Sequence, residues 1–243
     1  MLETQTLDAS EMRRARLLRK RIVELDLTKY NLGRRSWIRP DTDKTVFLVV
    51  GQVETDASIR LGSPEVRTNV ELLRRVRQEA PEAYIVYKPH PDVIAGLRRK
   101  GRDEDLAWEL ADEILITPVA AGQLLAQVDV VHTMTSLMGF EALMRGRKVV
   151  THGMPFYAGW GLTEDRLHCD RRCRKLSLDE LVYGALIRYP RYFNYDANCF
   201  VEPEEAVEQL AALAERGPKT RNWSRKLLRV SIQTWIKLTG NRR

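Results

Sequence analysis

Short apolar runs alternate with amphipathic stretches through the middle of the chain. Five runs rich in β-branched residues predict buried strands, at residues 44–50, 83–87, 113–117, 128–133 and 148–152. Apolar positions at helical spacing predict helices between them, one opening at Ser63-Pro64 and another that follows Ser136 and ends at Gly146. Strands that alternate with helices in this way predict an α/β fold with a doubly wound, Rossmann-like parallel sheet.

Two additional helices are predicted after the last of these strands. Ser177 and Glu180 have the spacing of a capping box, in which each side chain bonds the other's backbone, and indicate a helix over residues 176–190. A second helix, over residues 202–217, has Pro203 in its first turn and ends at a glycine. The chain therefore carries extra helices on the carboxyl-terminal side of the sheet.

The composition is that of a folded protein, with 44% hydrophobic and 30% charged residues among 243, which excludes a mainly disordered chain. We expect three parts. Residues 1–40 form a basic helical segment or connector, residues 41–216 a Rossmann-like lobe, and residues 217–243 a basic amphipathic tail helix.

The net charge of +7 is concentrated at the two ends, in residues 13–39 and 219–243. Basic ends on a nearly neutral body suggest a polyanionic neighbour. At the carboxyl end two interpretations stay open, a terminal helix that packs on the body or an interfacial helix on anionic lipid. At the amino end the alternatives are a solvated basic helix or interdomain connector and contact with a membrane. Because the basic residues lack interleaved aromatics on one face, we expect no nucleic-acid partner.

The expected location is the cytoplasm. The amino terminus is charged where a signal peptide would be apolar. Three cysteines are too few for a disulfide scaffold, and no run of about 18 apolar residues predicts a membrane span. The basic ends allow a peripheral position at the inner face of the cytoplasmic membrane.

Polar and titratable side chains follow the predicted strands. In a doubly wound sheet, ligands bind outside the carboxyl ends of the strands. The residues found there include Gln52, Glu54, Asp56, Ser58, Lys88, His90, Pro91, Thr135, Ser136, Phe156 and Tyr157. Their convergence predicts a site along one edge of the sheet.

Each group in this set also has a purely structural interpretation. The prolines beside His90 fix its backbone, yet a single histidine can simply be a hydrogen-bonding residue. Ser136 at a helix N-terminus favours phosphate and equally fits a plain N-cap. The glycine-rich loop with Phe156 and Tyr157 can stack on a base or sugar, or form a structural Ω-loop.

Several chemistries are excluded by their missing motifs. The sequence has no P-loop, no G-x-G-x-x-G after the first strand and no G-x-S-x-G elbow. Cys169 and Cys173 lie near His168, but a second ligand pair at zinc-like spacing is missing. We expect neither a metal nor a cofactor.

Five longer strings point to one known family. They are YNLGRRSW (30–37), GQVETDASIRLGSP (51–64), AYIVYKPHPDV (83–93), HTMTSLMGFEALMRG (132–146) and PFYAGWGLTEDR (155–166). Together they closely resemble the KpsC-type capsular polysaccharide proteins. These are β-Kdo glycosyltransferases that build the oligo-Kdo linker between bacterial capsules and a lipid.

The resemblance, which runs from about residue 28 to about residue 212, implies a role in capsular polysaccharide biosynthesis and transport. It implies the nucleotide-binding lobe of a GT-B glycosyltransferase, a CMP-Kdo donor substrate and a lipid-linked glycan acceptor. A GT-B enzyme has two such lobes, so activity would need a second lobe or capsule-assembly partner. The alternative is a non-catalytic component of a capsule assembly machine that binds a CMP-sugar or an acidic glycan.

The resemblance also implies roles for individual residues. His90-Pro91 and the Thr135-Ser136 pair would contact the CMP phosphate, and Glu141 would reach the ribose or the base. These proteins resemble retaining enzymes, for which Asp56 is the candidate nucleophile.

A retaining transfer needs a carboxylate on the face of the sugar opposite the leaving group. Glu54 is a second candidate for that role, since residues two apart in an extended segment point the same way. Kdo carries its own carboxylate, and Arg60 and Lys88 are the cations expected to meet it. A CMP-sugar leaves with a single phosphate, so no divalent clamp is required.

Overall fold

The computed structural model describes residues 2–29 and 36–215. Its main sheet contains β1 (Val46–Val50), β2 (Tyr84–Lys88), β3 (Glu113–Ile114), β4 (Val130–Thr133), β5 (Lys148–Thr151) and β6 (Glu164–Asp165). The strand order is β3-β2-β1-β4-β5-β6, and all pairings in this sheet are parallel. The predicted α/β fold is confirmed.

Helices cover both faces of this sheet. They are α1 (Ala9–Glu24), α2 (Ala57–Gly62), α3 (Asn69–Glu79), α4 (Pro91–Ile94), α5 (Ala107–Leu110), α6 (Ala121–Gln127), α7 (Leu137–Met144), α8 (Leu178–Val182) and α9 (Pro203–Glu215). A 3₁₀ turn (Glu104–Leu106) precedes α5, and a π-helix (Tyr183–Arg188) extends α8. None of the helices within the described ranges is both long and apolar enough to cross a bilayer.

Alternate residues of each central strand enter two different cores. Leu48 and Val50 of β1 pack in the cluster that includes residues of α1, α6, α7 and α8, whereas Val49 packs with α3. This alternation follows from the two-residue side-chain period of a strand. Because both faces of β1 pack against other residues, this strand is continuously apolar, which made it recognisable in the sequence.

The prediction that a helix opens at Ser63-Pro64 is wrong. Ser63 ends the short helix α2, and the next helix, α3, begins at Asn69. Thr68 sets this start, because its side chain accepts from the backbone N–H of Glu71 while the Glu71 carboxylate accepts from that of Thr68.

The end of the described chain follows the predicted helices and adds a small hairpin. Ser177 and Glu180 form the expected capping box at the start of α8. A two-stranded antiparallel hairpin, β7 (Tyr192–Asn194) and β8 (Cys199–Val201), then leads into α9. The predicted tail helix, residues 217–243, lies outside the described residues.

The basic amino-terminal helix α1 packs on the body. Ala15, Leu18 and Ile22 are buried in the same cluster as the sheet. Four of its arginines pair with acids of α8 and of the start of α9. The pairs are Arg14 with Glu202 and Glu204, Arg16 and Arg19 with Asp179, and Arg21 with Glu208. Much of the positive charge of α1 is therefore neutralised within the molecule.

Candidate active site

A cleft of about 620 Å³ opens at the carboxyl ends of β1, β2 and β4. Most of the residues predicted for the site line it, namely Gln52, Asp56, Ser58, Lys88, His90, Pro91, Thr135, Ser136, Glu141 and Phe156. Glu54, Arg60 and Tyr157 do not line this cleft. The edge chosen from the sequence is thus the edge where the cavity lies.

Asp56 occupies the N-cap position of α2 without capping it. Its carboxylate accepts no bond from the helix backbone, and Oδ1 lies 3.6 Å from Nη2 of Arg98. The side chain is 44% exposed. An exposed carboxylate at the wall of a cleft can attack an electrophilic carbon of a bound ligand.

Glu54 lies outside the cleft, and its carboxylate accepts hydrogen bonds from the backbone. The two residues were expected in an extended segment, but the chain turns here, and the N–H of Asp56 donates to the carbonyl of Val53 at 3.0 Å. The Glu54 carboxylate accepts from the backbone N–H groups of Asn69 and Arg102, each at 2.9 Å. Glu54 therefore holds the start of α3 and a neighbouring loop.

Gln52 connects the end of β1 to the turn before α7. Its side-chain oxygen accepts from the backbone N–H of Thr135 at 2.8 Å, and its Nε2 donates to the Thr135 hydroxyl at 3.0 Å. The Gln52 backbone is held in turn by Asn69, whose buried side chain accepts from its N–H and donates to its carbonyl. Asn69 was not predicted, since nothing in its local sequence distinguishes it from an ordinary helix-start residue.

The turn before α7 is fixed by hydrogen bonds from both sides. The Ser136 hydroxyl accepts from the backbone N–H of Met138, and the Thr133 hydroxyl accepts from that of Ser136. Tyr157 is fully buried behind this turn and donates its hydroxyl to the carbonyl of Ser136. The amino end of α7 is thus held in a fixed position at the cleft, where its dipole favours an anion.

His90 precedes the short helix α4 and presents a defined tautomer. Its Nδ1 accepts from the backbone N–H of Asp92 at 3.2 Å, so the neutral ring carries its proton on Nε2. Burial lowers the pKa of His90, which favours this neutral form at pH 7. The ring therefore serves as a hydrogen-bond donor through Nε2.

Lys88 and Glu141 give the floor of the cleft two opposite charges. Burial lowers the pKa of Lys88 and raises that of Glu141, while their mutual attraction opposes both shifts. Glu141 Oε1 accepts from the backbone N–H of Lys29 at 2.7 Å. Thr28 and Lys29 also line the cleft, and sequence reasoning did not select them as site residues.

Phe156 and Tyr157, in the glycine-rich loop after β5, lie in different surroundings: Phe156 lines the cleft, and Tyr157 is buried in the core. Phe156 is 42% exposed at the cleft and contacts Phe140 edge-on, with ring centroids 5.0 Å apart. Burial raises the pKa of Tyr157 well above its usual range, so its hydroxyl stays a donor. One ring is therefore available for stacking, and the other supports the loop.

Two buried histidines lie outside the cleft. His132, at the end of β4, has Nδ1 3.2 Å from Nε2 of His152. Burial lowers the pKa of His132 to about 3 and that of His152 to about 4. The outer ring nitrogens, Nε2 of His132 and Nδ1 of His152, have no hydrogen-bond partner among the described residues.

Comparison with known proteins shows the family to which this chain belongs. A family model described as capsule polysaccharide biosynthesis protein matches residues 10–196. The chain belongs to this family.

The curated relatives are longer proteins. The capsule polysaccharide modification protein LipA of Neisseria meningitidis serogroup A is 48% identical over 212 residues, which cover 86% of this chain and 30% of LipA. The lipopolysaccharide-processing protein LpsZ of Rhizobium meliloti is 44% identical over 209 residues, which cover 85% of this chain and 47% of LpsZ. The chain thus spans less than half the length of either relative.

Two solved structures share the fold. The β-Kdo 2,7 transferase of Thermosulfurimonas dismutans KpsC superposes with a TM-score of 0.74 at 40% identity, covering 87% of this chain and 65% of that one. The β-Kdo 2,4 transferase of the same KpsC gives a TM-score of 0.76 at 33% identity, covering 87% and 67%. Both resemble this chain over nearly all of its described length.

Proposed function

We propose that this chain is the donor-binding lobe of a retaining glycosyltransferase that transfers Kdo from CMP-Kdo to a lipid-linked acceptor in capsule biosynthesis. The observation that carries the proposal is the single cleft that Asp56, His90 and Ser136 all line. A carboxylate, a neutral imidazole donor and a helix N-terminus are the groups that a glycosyl phosphate requires. The similarity to two Kdo transferases supports the same assignment.

In this proposal the CMP phosphate binds at the amino end of α7. The Thr135 hydroxyl and the Nε2–H of His90 donate to its oxygens, and Glu141 takes the ribose or the base. The phosphate gains negative charge as the sugar departs, so donors already in place stabilise the transition state more than the ground state. The bonds from Gln52 to Thr135 keep one of these donors in position.

Asp56 then acts as the nucleophile. One carboxylate oxygen bonds to the anomeric carbon of Kdo while the bond from that carbon to the CMP phosphate breaks, and the electron pair leaves on the phosphate oxygen. An acceptor hydroxyl next attacks the same carbon, releases the Asp56 carboxylate and gives up its proton to a base. Two inversions return the original configuration.

The Kdo carboxylate would be bound by Lys88. The sequence offered two cations for this contact, Arg60 and Lys88. Lys88 lies in the cleft, whereas Arg60 is exposed on α2 and does not line the cleft, so the proposal assigns the contact to Lys88. A buried ammonium binds a carboxylate strongly because water competes weakly there. A cytidine monophosphate leaving group carries no pyrophosphate, so the proposal includes no metal.

The other lobe of the enzyme lies outside this chain in the proposal. LipA and LpsZ extend well beyond the matched region, and both Kdo transferases also exceed it. The same partial coverage supports the second candidate, a non-catalytic component that binds a CMP-sugar or an acidic glycan. Contact of the basic ends with an anionic membrane surface remains a proposal for both candidates.

Calorimetric titration with CMP tests whether this cleft binds the donor. The wild-type chain and an Asp56→Asn variant should bind CMP within about twofold of each other, because Asp56 contacts the sugar rather than the nucleotide. His90→Ala should weaken binding about tenfold, the effect of one lost hydrogen bond to a charged group. Asp105→Asn, an exposed aspartate outside the cleft, serves as the matched control. Equal CMP affinity in all four proteins would contradict the proposed site.

A further inference from the structure

The hairpin β7–β8 carries an exposed aromatic cluster that the proposed function does not use. Tyr192 and Val201 are paired across the hairpin, and the Tyr192 hydroxyl donates to the carbonyl of Leu186 in the body. The next pair, Phe193 and Phe200, lies on the opposite face because successive strand residues alternate. The hairpin is therefore attached to the body by one face and presents phenylalanines on the other.

We call Phe193, Tyr195 and Phe200 the aromatic tip. Phe193 contacts both other rings, with centroids 5.1 Å from Tyr195 and 5.3 Å from Phe200. The exposed fractions are 38%, 88% and 68% for Phe193, Tyr195 and Phe200. Large exposed apolar patches of this kind mark interaction sites on soluble proteins.

Two arginines precede the aromatic tip. Arg188 and Arg191 are exposed, and neither forms an ion pair with another described residue, unlike the four paired arginines of α1. Residues 188–201 contain these two arginines and one acid, Asp196, which gives a net charge of +1. The hairpin and the residues that lead into it thus combine apolar rings with a small excess of positive charge.

The shape and the area of the aromatic tip disfavour two other partners, a stacked sugar or base and a second copy of this chain. The planes of Tyr195 and Phe200 lie at 76° and 78° to that of Phe193, so the three rings do not form one flat platform of the kind on which sugars or bases stack. The exposed fractions leave roughly 300–500 Å² of aromatic surface. A stable dimer needs about 800 Å² from each partner.

We propose that the aromatic tip inserts into the interfacial region of an anionic lipid bilayer, where Arg188 and Arg191 contact lipid phosphates. Aromatic rings favour the membrane–water boundary, and arginines near it are attracted to acidic headgroups. This proposal concerns a surface outside the cleft and does not depend on the proposed transfer reaction.

Exposed cysteines permit a test at the level of single positions. Cys199 adjoins Phe200 in β8 but lies on the opposite face of the hairpin, so an exposed label there reports whether the hairpin as a whole reaches the bilayer. Cys173 is exposed on a loop elsewhere. An environment-sensitive fluorophore is attached to Cys199 in a Cys169→Ser, Cys173→Ser chain. The control carries the same label on Cys173 in a Cys169→Ser, Cys199→Ser chain. Both full-length proteins are mixed with vesicles of phosphatidylcholine and phosphatidylglycerol.

The expected result is a blue-shifted, roughly twofold brighter emission from the Cys199 label and little change from the Cys173 label. Pure phosphatidylcholine vesicles should give a much smaller change. Because both chains contain the basic residues 219–243, attraction of that segment to the vesicles affects the two labels alike. Equal responses from the two labels, or none from either, would overturn the proposal.

Sedimentation of variants with vesicles tests whether the aromatic tip binds lipid or another partner. Tyr195→Ser combined with Phe200→Ser should lower the fraction of chain that sediments with anionic vesicles several-fold, whereas Trp108→Ser, an exposed aromatic on α5, should not. Thermal unfolding of each variant checks that it is folded. Loss of a dimer in light scattering, or loss of binding to an acidic glycan with unchanged sedimentation, would assign the tip to another partner and contradict a lipid site.

Discussion

Gln52 holds Thr135 with both ends of its side-chain amide, accepting from the backbone N–H at 2.8 Å and donating to the hydroxyl at 3.0 Å. Gln52 lies in the loop after β1, and Thr135 lies between β4 and α7, so this contact joins two loops that follow neighbouring strands. A phosphate bound at the amino end of α7 would therefore be positioned by the loop that also carries Asp56.

Replacing Gln52 with alanine removes this connection. Three side-chain hydrogen bonds are lost, two with Thr135 and one that the Thr133 hydroxyl donates at 3.3 Å, and the half-buried Thr135 loses the acceptor of its N–H. We therefore expect the free energy of unfolding to fall by about 1–3 kcal/mol. CMP affinity should fall about tenfold because the Thr135 hydroxyl is no longer oriented. Chemical denaturation and calorimetry measure the two effects. Gln209→Ala on α9 is the matched control, since its amide bonds an exposed Glu205.

Asn69 should act on CMP binding through Gln52. Its side chain makes two hydrogen bonds to the Gln52 backbone, at 2.9 and 3.0 Å, and does not line the cleft. We expect Asn69→Ala to weaken CMP binding several-fold, with little additional loss in the Gln52→Ala background. A double-mutant cycle should give a coupling free energy of about 0.5–3 kcal/mol. Additive losses would show that the two residues act independently.

Lys88 should distinguish the sugar nucleotide from the nucleotide alone. Lys88→Met keeps an unbranched side chain of similar length and removes the cation that the proposal pairs with the Kdo carboxylate. We expect affinity for CMP-Kdo to fall at least tenfold and affinity for CMP to change much less, since a lost charge-assisted bond costs about 1.5–3 kcal/mol. Lys100→Met, on an exposed loop, should change neither. Equal losses for the two ligands would remove the carboxylate contact from the proposal.

The buried pair His132 and His152 should make the fold sensitive to acid. Burial lowers the pKa of His132 to about 3 and that of His152 to about 4, whereas an unfolded histidine titrates near pH 6.5. Between pH 6.5 and pH 4 the unfolded chain binds protons that the folded chain does not, so the free energy of unfolding falls as the pH falls.

Each of these histidines contributes a slope of up to about 1.4 kcal/mol per pH unit in that range. His152→Asn should flatten the pH dependence of the urea midpoint between pH 6.5 and pH 4.5, whatever its effect on stability at pH 7. His168→Asn, which replaces a surface histidine whose side chain is 85% exposed, is the matched control. A variant that keeps the wild-type slope would exclude the pair as its source.

The sequence indicated the central sheet well because burial and composition coincide there. Strands β1 and β2 consist mostly of apolar residues, and β4 and β5 each contain a buried pair of valines. Strand β6, only Glu164–Asp165, was missed because two polar residues have no hydrophobic period. Its place is set by pairing with β5, a contact that local sequence does not encode.

The cleft was located by a topological rule rather than by a motif, and that rule has a clear limit. It correctly brought together residues that follow different strands, such as Asp56 and Ser136. It could not distinguish Asp56 from Glu54, because the orientation of Glu54 depends on backbone N–H groups 15 and 48 residues away. Lys29 lies at the cleft because its backbone N–H donates to Glu141, a contact between residues 112 positions apart in the sequence.

The proposed chemistry depends on a bond between one carboxylate and the sugar, and peptide mapping detects that bond directly. The chain is incubated with CMP-Kdo, quenched in acid and digested, and the fragment that contains residues 51–60 is sequenced by tandem mass spectrometry. The account predicts a Kdo ester on Asp56 that is missing from Asp56→Asn and retained in Asp105→Asn. A Kdo ester on Glu54, or CMP binding with no ester on any residue, would contradict it.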